Sequence, residues 1–310
     1  MGRPMSIAVL GSINVDIITR SERLPKPGET LHGESYSTSL GGKGCNQAVA
    51  ARKLGSETTL IGRVGKDGFG QIALDALASY DVPLANVLVD ADNSTGIAVI
   101  GVDANAENCI TVVGGANMAV TDEDVARAKG ALTTAKILML QLEIPVETCA
   151  SAAQLAQKTG ATVIFDPAPA PSQGLPDGFL KHVDVVTPNE TETHILTGIL
   201  PTNESEARQA AEKLHEQGVA AAIVKLGAHG VYYSGYGERG FIKPFSVKSI
   251  DSVAAGDCFN GGLAHALHEG QSFSSAVRFA AACGALATTK IGAAPAAPTA
   301  DEVAALLATQ

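Results

Sequence analysis

Residues 137–166 read ILMLQLEIPVETCASAAQLAQKTGATVIFD. Ile137 to Leu142 is a short apolar run, Val146 to Lys158 carries a helical period, and Thr162 to Asp166 is a second apolar run. Neither run alternates apolar with polar, so both read as strands buried on two faces, joined by a helix. The same unit recurs outward. Downstream lie a strand at Val183 to Thr187 and two helices between Glu190 and Gln217. Adjacent strands at Ala221 to Leu226 and Gly230 to Tyr233 follow, then helices near Ala255–Glu269, Phe273–Thr288 and Thr299–Ala308. Upstream, Thr121-Asp122-Glu123-Asp124 opens a helix. Ile7 to Gly11 and Thr58 to Val64 read as strands, and Lys43 to Leu54 and Phe69 to Tyr80 as helices. Strands alternating with helices predict an α/β fold: a doubly wound, mostly parallel sheet covered by helices on both faces.

Two segments break the alternation. Residues 14–42 contain Leu24-Pro25-Lys26-Pro27-Gly28 and no helical period, while Ile97–Val102 and Asn108–Val113 flank a turn as a hairpin. We read 14–42 and 95–115 as a small β-structured lid, and 1–13, 43–94 and 116–310 as the main domain.

The chain has 310 residues, 22 Lys+Arg against 32 Asp+Glu, and a net charge of −10. An acidic chain without a basic run disfavours broad nucleic-acid binding. Small phosphate ligands stay allowed, because backbone amides bind them without net charge. A hydrophobic fraction of 45% with 17% charged residues excludes disorder. No apolar run is long enough to span a membrane. Five widely spaced cysteines without a CxxC read as reduced thiols of a cytoplasmic protein.

The nucleotide signatures that would decide the chemistry outright are missing. GxxxxGK[ST] fails because Gly42-Lys43 precedes Gly44 and Gly65-Lys66 precedes Asp67. Gly235 to Gly240 spells GxGxxG but sits between two strand patterns, where it reads as a turn. Two other strings matter more. Ala254-Ala255-Gly256 leads into a helix, whose first-turn amides would stay open to an anion, and Asp257 lies on that same turn. Asp257 fits equally a helix-dipole partner and a base for phosphoryl transfer. Gly41-Gly42-Lys43-Gly44-Cys45-Asn46-Gln47-Ala48 fits a helix-packing turn or a sugar site, with Asn46 and Gln47 facing hydroxyls.

These strings, with Gly11 to Asp16, Gln141 to Glu143, Thr187 to Glu192 and Lys225 to Gly230, occur in an order that resembles the PfkB-type carbohydrate kinases, and within them the ribokinases. The resemblance runs the length of the chain. It implies ATP-dependent phosphorylation of D-ribose at its 5-hydroxyl, with Asp257 as base and an anion hole at Ala254, Ala255 and Gly256. Sugar binding would fall to Asn14, Asp16, Gly42, Lys43, Gly44, Asn46 and Glu143. The nucleotide would lie along Asn189, Lys225, Gly227, Ala228, His229, Gly230 and Gly256. Asn189 and Glu192 would hold Mg²⁺ through waters. A K⁺ ion would take the Asp251 carboxylate and the carbonyls of Val253, Ala287, Lys290 and Gly292. Lys225, Ala281 and Ala296 stand where that family often has a polar or hydroxyl residue. A homodimer through the lid is expected from its open strand edges. His265 and His268 lack a third metal ligand, and Cys45 and Cys258 read as packing residues.

Overall fold

The computed structural model describes residues 6–105, 107–171 and 173–310. Residues 1–5 of the expected main domain therefore lie outside the described residues. The strands, in chain order, are β1 (Ile7–Leu10), β2 (Asn14–Arg20), β3 (Ser35–Gly41), β4 (Thr58–Gly65), β5 (Val87–Asp90), β6 (Gly96–Val102), β7 (Asn108–Val113), β8 (Ile137–Leu140), β9 (Thr162–Phe165), β10 (Val185–Val186), β11 (Ala221–Lys225), β12 (Val231–Gly235) and β13 (Glu238–Ile242). The helices are α1 (Lys43–Lys53), α2 (Gly68–Ser79), α3 (Asp122–Arg127), α4 (Lys129–Thr134), α5 (Val146–Thr159), α6 (Glu190–Thr197), α7 (Glu204–Glu216), α8 (Ala255–His268), α9 (Phe273–Ala287) and α10 (Ala300–Thr309).

A nine-stranded sheet runs β13-β12-β11-β10-β9-β8-β1-β4-β5. It is parallel from β11 to β5, and β12 and β13 extend one edge antiparallel. The two-residue period of a strand sorts its side chains into two cores. Ile7, Val9, Ile137, Met139 and Ile223 pack under α1, α2, α8 and α9. Ala8, Leu10, Leu138, Leu140 and Val224 pack under α3, α4, α5 and α7. Each fully buried Ile, Leu, Val or Met among them contributes about 1.5–3 kcal/mol, which explains why these runs show no polar alternation.

A separate four-stranded sheet, β3-β2-β6-β7, forms the lid. β2 is parallel to β6, and the β2–β3 and β6–β7 pairs are antiparallel. β2, whose burial fades from Asn14 to Arg20, has no helical period and no turn signal of its own; its pairing with β3 and β6 makes it a strand. The GxGxxG string closes the β12–β13 hairpin, with Tyr236 at φ 52. Among the described residues no helix is long and apolar enough to cross a membrane.

Candidate active site

In a parallel sheet every carboxyl end points the same way, so the loops after β1, β8, β9, β10 and β11 collect at one edge. The N-termini of α1 and α8 face that edge. α1 begins at Gly42 (φ 91), with no side chain of its own to cap it. The loops after β8 and β1 supply the caps: Glu143 accepts from the Lys43 amide at 3.0 Å and from the Ser12 hydroxyl at 2.6 Å. Ser12 in turn accepts from the Gly44 amide at 3.2 Å. Glycine is required at 44, because a Cβ there would lie 2.5 Å from the Gly11 carbonyl carbon and the Ser12 nitrogen. Such close backbone packing brings β1 and α1 together, and the orphan amides of the helix end find partners.

Asp16 is 8% exposed, and among the described residues no group donates a hydrogen bond to it. Burial first, then the Glu143 and Asp257 charges, push its carboxyl up to about 6. A buried carboxylate without donors is costly, and a ligand with paired hydroxyls removes that cost. Asn14 beside it is oriented by Asn117, whose amide donates to Asn14 Oδ1 at 2.7 Å. Asn117 also accepts from the Ile13 amide and donates to its carbonyl, so it is locked on three sides.

On the other flank, Ala254 caps α8 in the left-handed region at φ 57, a conformation costing a non-glycine residue roughly 1–2 kcal/mol. It turns the chain so that the Gly256 and Asp257 amides find no acceptor among the described residues. Asp257 is buried, and its two oxygens accept one amide each: Asn46 Nδ2 at 3.0 Å and Gln47 Nε2 at 3.1 Å. Burial raises the Asp257 carboxyl above the usual range; Lys43 opposes this, and Asp166 adds to it. Burial alone would lower the Lys43 ammonium, but Asp257, Asp166, Glu143 and Glu192 hold it well above the ordinary lysine value.

Gln47 also donates to Asp166 at 3.0 Å and accepts from Gln141 Nε2 at 2.7 Å. Its side chain is thus engaged internally and not open to hydroxyls. Asn46 keeps one buried oxygen, Oδ1, without a partner. Lys225 Nζ lies 3.2 Å from Asp166 Oδ1.

A cavity of about 580 Å³ runs from Lys43 and Asp257 past Ala254–Gly256 and Lys225 to Asn189 and Ala228. Gly227, Gly230, Glu192 and Ala281 also line it, whereas Asn14, Asp16, Asn46, Glu143 and His229 do not. The expected nucleotide residues other than His229 thus share one cavity, and of the expected sugar residues Lys43 and Asp257 line it while the others lie outside it. Asn189 and Glu192 form a reciprocal cap on α6, at 2.8 to 3.0 Å. Burial, then Asp166, raises the Glu192 carboxyl, while Lys225 opposes the shift. Asp251 accepts from the Val253 amide at 3.0 Å and the Gly292 amide at 2.9 Å, tying together the two loops named for K⁺.

A model of the pfkB family of carbohydrate kinases matches residues 5–300. The chain belongs to that family. It is 40% identical to a ribokinase of Haemophilus influenzae over 297 residues, 96% of each chain. A deoxyribokinase of Salmonella typhi is 35% identical over 288 residues, 93% of this chain and 94% of its own. The structure of Arabidopsis thaliana ribokinase complexed with ribose and ATP superposes with a TM-score of 0.90 at 35% identity, covering 98% of both chains. This pfkB kinase is therefore a phosphotransferase, and ATP is its co-substrate.

Asp166 and Asn117 lie outside every string that carries the resemblance, and Ser12 and Gln141 lie inside two of them with no role assigned. Asp166 looks like an ordinary strand-end acid, and Asn117 sits in the short turn after β7 with no flanking signature. Elsewhere, His265 Nδ1 pairs with Ser56 Oγ at 2.8 Å and His268 is buried. Among the described residues no group of three or more His, Cys, Asp or Glu could hold a metal ion. Burial pushes the Cys258 thiol up to about 12 and the Cys45 thiol well above its ordinary value, so neither is a ready nucleophile.

Proposed function

We infer that this kinase transfers the γ-phosphoryl group of ATP to the 5-hydroxyl of D-ribose. The observation that carries the reading is Asp257: a buried carboxylate on the first turn of α8, held by two amides and facing Lys43. Held in this way, its carboxylate accepts the hydroxyl proton as the oxygen attacks phosphorus. The free amides of Gly256 and Asp257 receive the charge that builds on the phosphoryl oxygens, while the Ala255 amide of the expected anion hole is already donated to the Ser252 carbonyl at 3.3 Å.

The sugar is gripped by Asp16, Asn14, the unpartnered Asn46 oxygen, Glu143 and the Gly42–Gly44 backbone. Asp16 and Glu143 accept from hydroxyls, and Asn14, oriented by Asn117, donates. ATP lies along Asn189, Lys225, Gly227, Ala228, His229 and Gly230. Mg²⁺, supplying charge neutralisation on the phosphates, fits outside Asn189 and Glu192. Both Glu192 oxygens are already engaged at the helix cap, which suits contact through water. The all-oxygen set of Asp251 and the carbonyls of Val253, Ala287, Lys290 and Gly292 suits K⁺.

Residues 14–42 and 95–115 close over the sugar and exclude water. Ile110 and Val112 on edge strand β7 are more than half exposed, which supports a homodimer through this sheet. The setting is cytoplasmic. The deoxyribokinase relative favours one second reading, 2-deoxyribose as acceptor.

ADP formation with ribose, 2-deoxyribose, fructose and adenosine, each with and without K⁺, separates these readings. Ribose turnover stimulated by K⁺ is expected, and preference for another alcohol overturns the substrate. Asp257→Asn lowers kcat by about 10³-fold or more without lowering Tm. Retained turnover in that variant removes Asp257 as base.

A further inference from the structure

The cavity holds a lysine on the wrong side of its surroundings. Lys225, at the carboxyl end of β11, places Nζ 3.6 Å from where a Cβ on Gly256 would stand, directly before the first turn of α8. A cation at the positive end of a helix is disfavoured unless an anion is also present. Here that anion is Asp166, at 3.2 Å, with side-chain exposures of 13% for the lysine and 3% for the aspartate. The Phe259 ring holds the ammonium from a third direction, 5.9 Å from its centroid.

Asp166 has a second donor, Gln47 Nε2, so the carboxylate keeps a partner if Lys225 moves away. Lys43, Lys225 and Lys243 face four carboxyl groups in this cavity, Asp166, Glu190, Glu192 and Asp257, so acidic side chains outnumber lysines in its walls before any phosphate enters. A polyphosphate needs every cation that can turn toward it.

We propose that Lys225 is a catalytic residue that exchanges Asp166 for the nucleotide phosphates and carries the charge displaced during transfer. The proposal rests on reading the cavity as the nucleotide site. In the step, a bond forms between the sugar oxygen and the γ-phosphorus. The bond from that phosphorus to the β,γ-bridging oxygen breaks, and its electron pair stays on ADP. The hydroxyl proton goes to Asp257. Lys225 donates hydrogen bonds to the leaving β-phosphate throughout and gives up no proton. Gln47, tied to both Asp166 and Asp257, keeps the two carboxylates in place while the ammonium swings.

The bland alternative is that Lys225 only neutralises Asp166. Affinities for ADP and AMP, measured calorimetrically without sugar in wild type, Lys225→Met, Asp166→Asn and the double variant, separate the two. The expected result is an ADP-over-AMP preference reduced about tenfold in Lys225→Met, with kcat down about 10²-fold. Asp166→Asn holds or raises the preference, and the double variant keeps the reduced one. Recovery of wild-type preference and turnover in the double variant overturns the proposal. So does an unchanged preference in Lys225→Met, or an equal loss of ADP and AMP affinity. If Lys225→Met does not fold, the double variant, which strands no carboxylate, carries the same comparison. The ADP/AMP ratio does not depend on the acceptor, so silence on ribose with this loss intact refutes the sugar assignment alone.

Discussion

Asp16→Asn tests the electrostatics of the proposed sugar site through stability alone. The Asp16 carboxyl moves from the ordinary value of 3.8 to about 6 on folding, because burial and the Glu143 and Asp257 charges disfavour ionisation. The folded chain therefore keeps a proton that the unfolded chain has released, and stability falls as pH rises through this window. Below pH 3.8 both states are protonated and nothing is lost. At pH 5 the cost is about 1.6 kcal/mol, and from pH 7 upward it levels off at ~3 kcal/mol. The amide is isosteric and cannot ionise, so Asp16→Asn recovers this energy at pH 8 and roughly half of it at pH 5. For a chain of this size the gain at pH 8 corresponds to about 5 °C in Tm. Thermal melts of both proteins at pH 5 and pH 8, without sugar, read the difference directly. Ribose added at pH 8 raises the wild-type Tm and leaves the variant's unmoved. A variant less stable at pH 8, or equally stabilised at both pH values, refutes the buried-charge account.

Three further outcomes follow from the packing of the same site. Asn117→Ala leaves the buried Ile13 amide unpaired and frees Asn14, costing about 1–3 kcal/mol in denaturant titration. The same variant raises the KM for sugar about tenfold while that for ATP stays put. Gly44→Ala drives a Cβ to 2.5 Å from the Gly11–Ser12 backbone, and a loss of roughly 1–3 kcal/mol is expected on thermal unfolding. Ala254→Gly relieves the left-handed strain and raises stability by about 1 kcal/mol. It also loosens the turn before α8, and kcat falls severalfold in steady-state assays.

The alternation of strands and helices is written locally. Buried strands such as Ile137–Leu140 must be apolar on both faces, and helices between them must repeat every three to four residues. The same local logic marks Gly42 and Ala254–Gly256 as helix starts without capping side chains, where a ligand can approach. Where β2 pairs is another matter: its seven residues are strand only because β3 and β6 flank them, and no local pattern records a partner. The polar network of the site is non-local in the same way. Asn46 and Asp257 are 211 positions apart, and Gln47 and Asp166 are 119 apart. Sequence alone leaves Asp257 divided between helix partner and base, and Gln47 between hydroxyl donor and packing. The parallel sheet brings both into one network, because it points every strand end at one edge and sets α1 against α8. Only there does Gln47 meet two carboxylates, and Asp166, which no motif marks, meet Lys225.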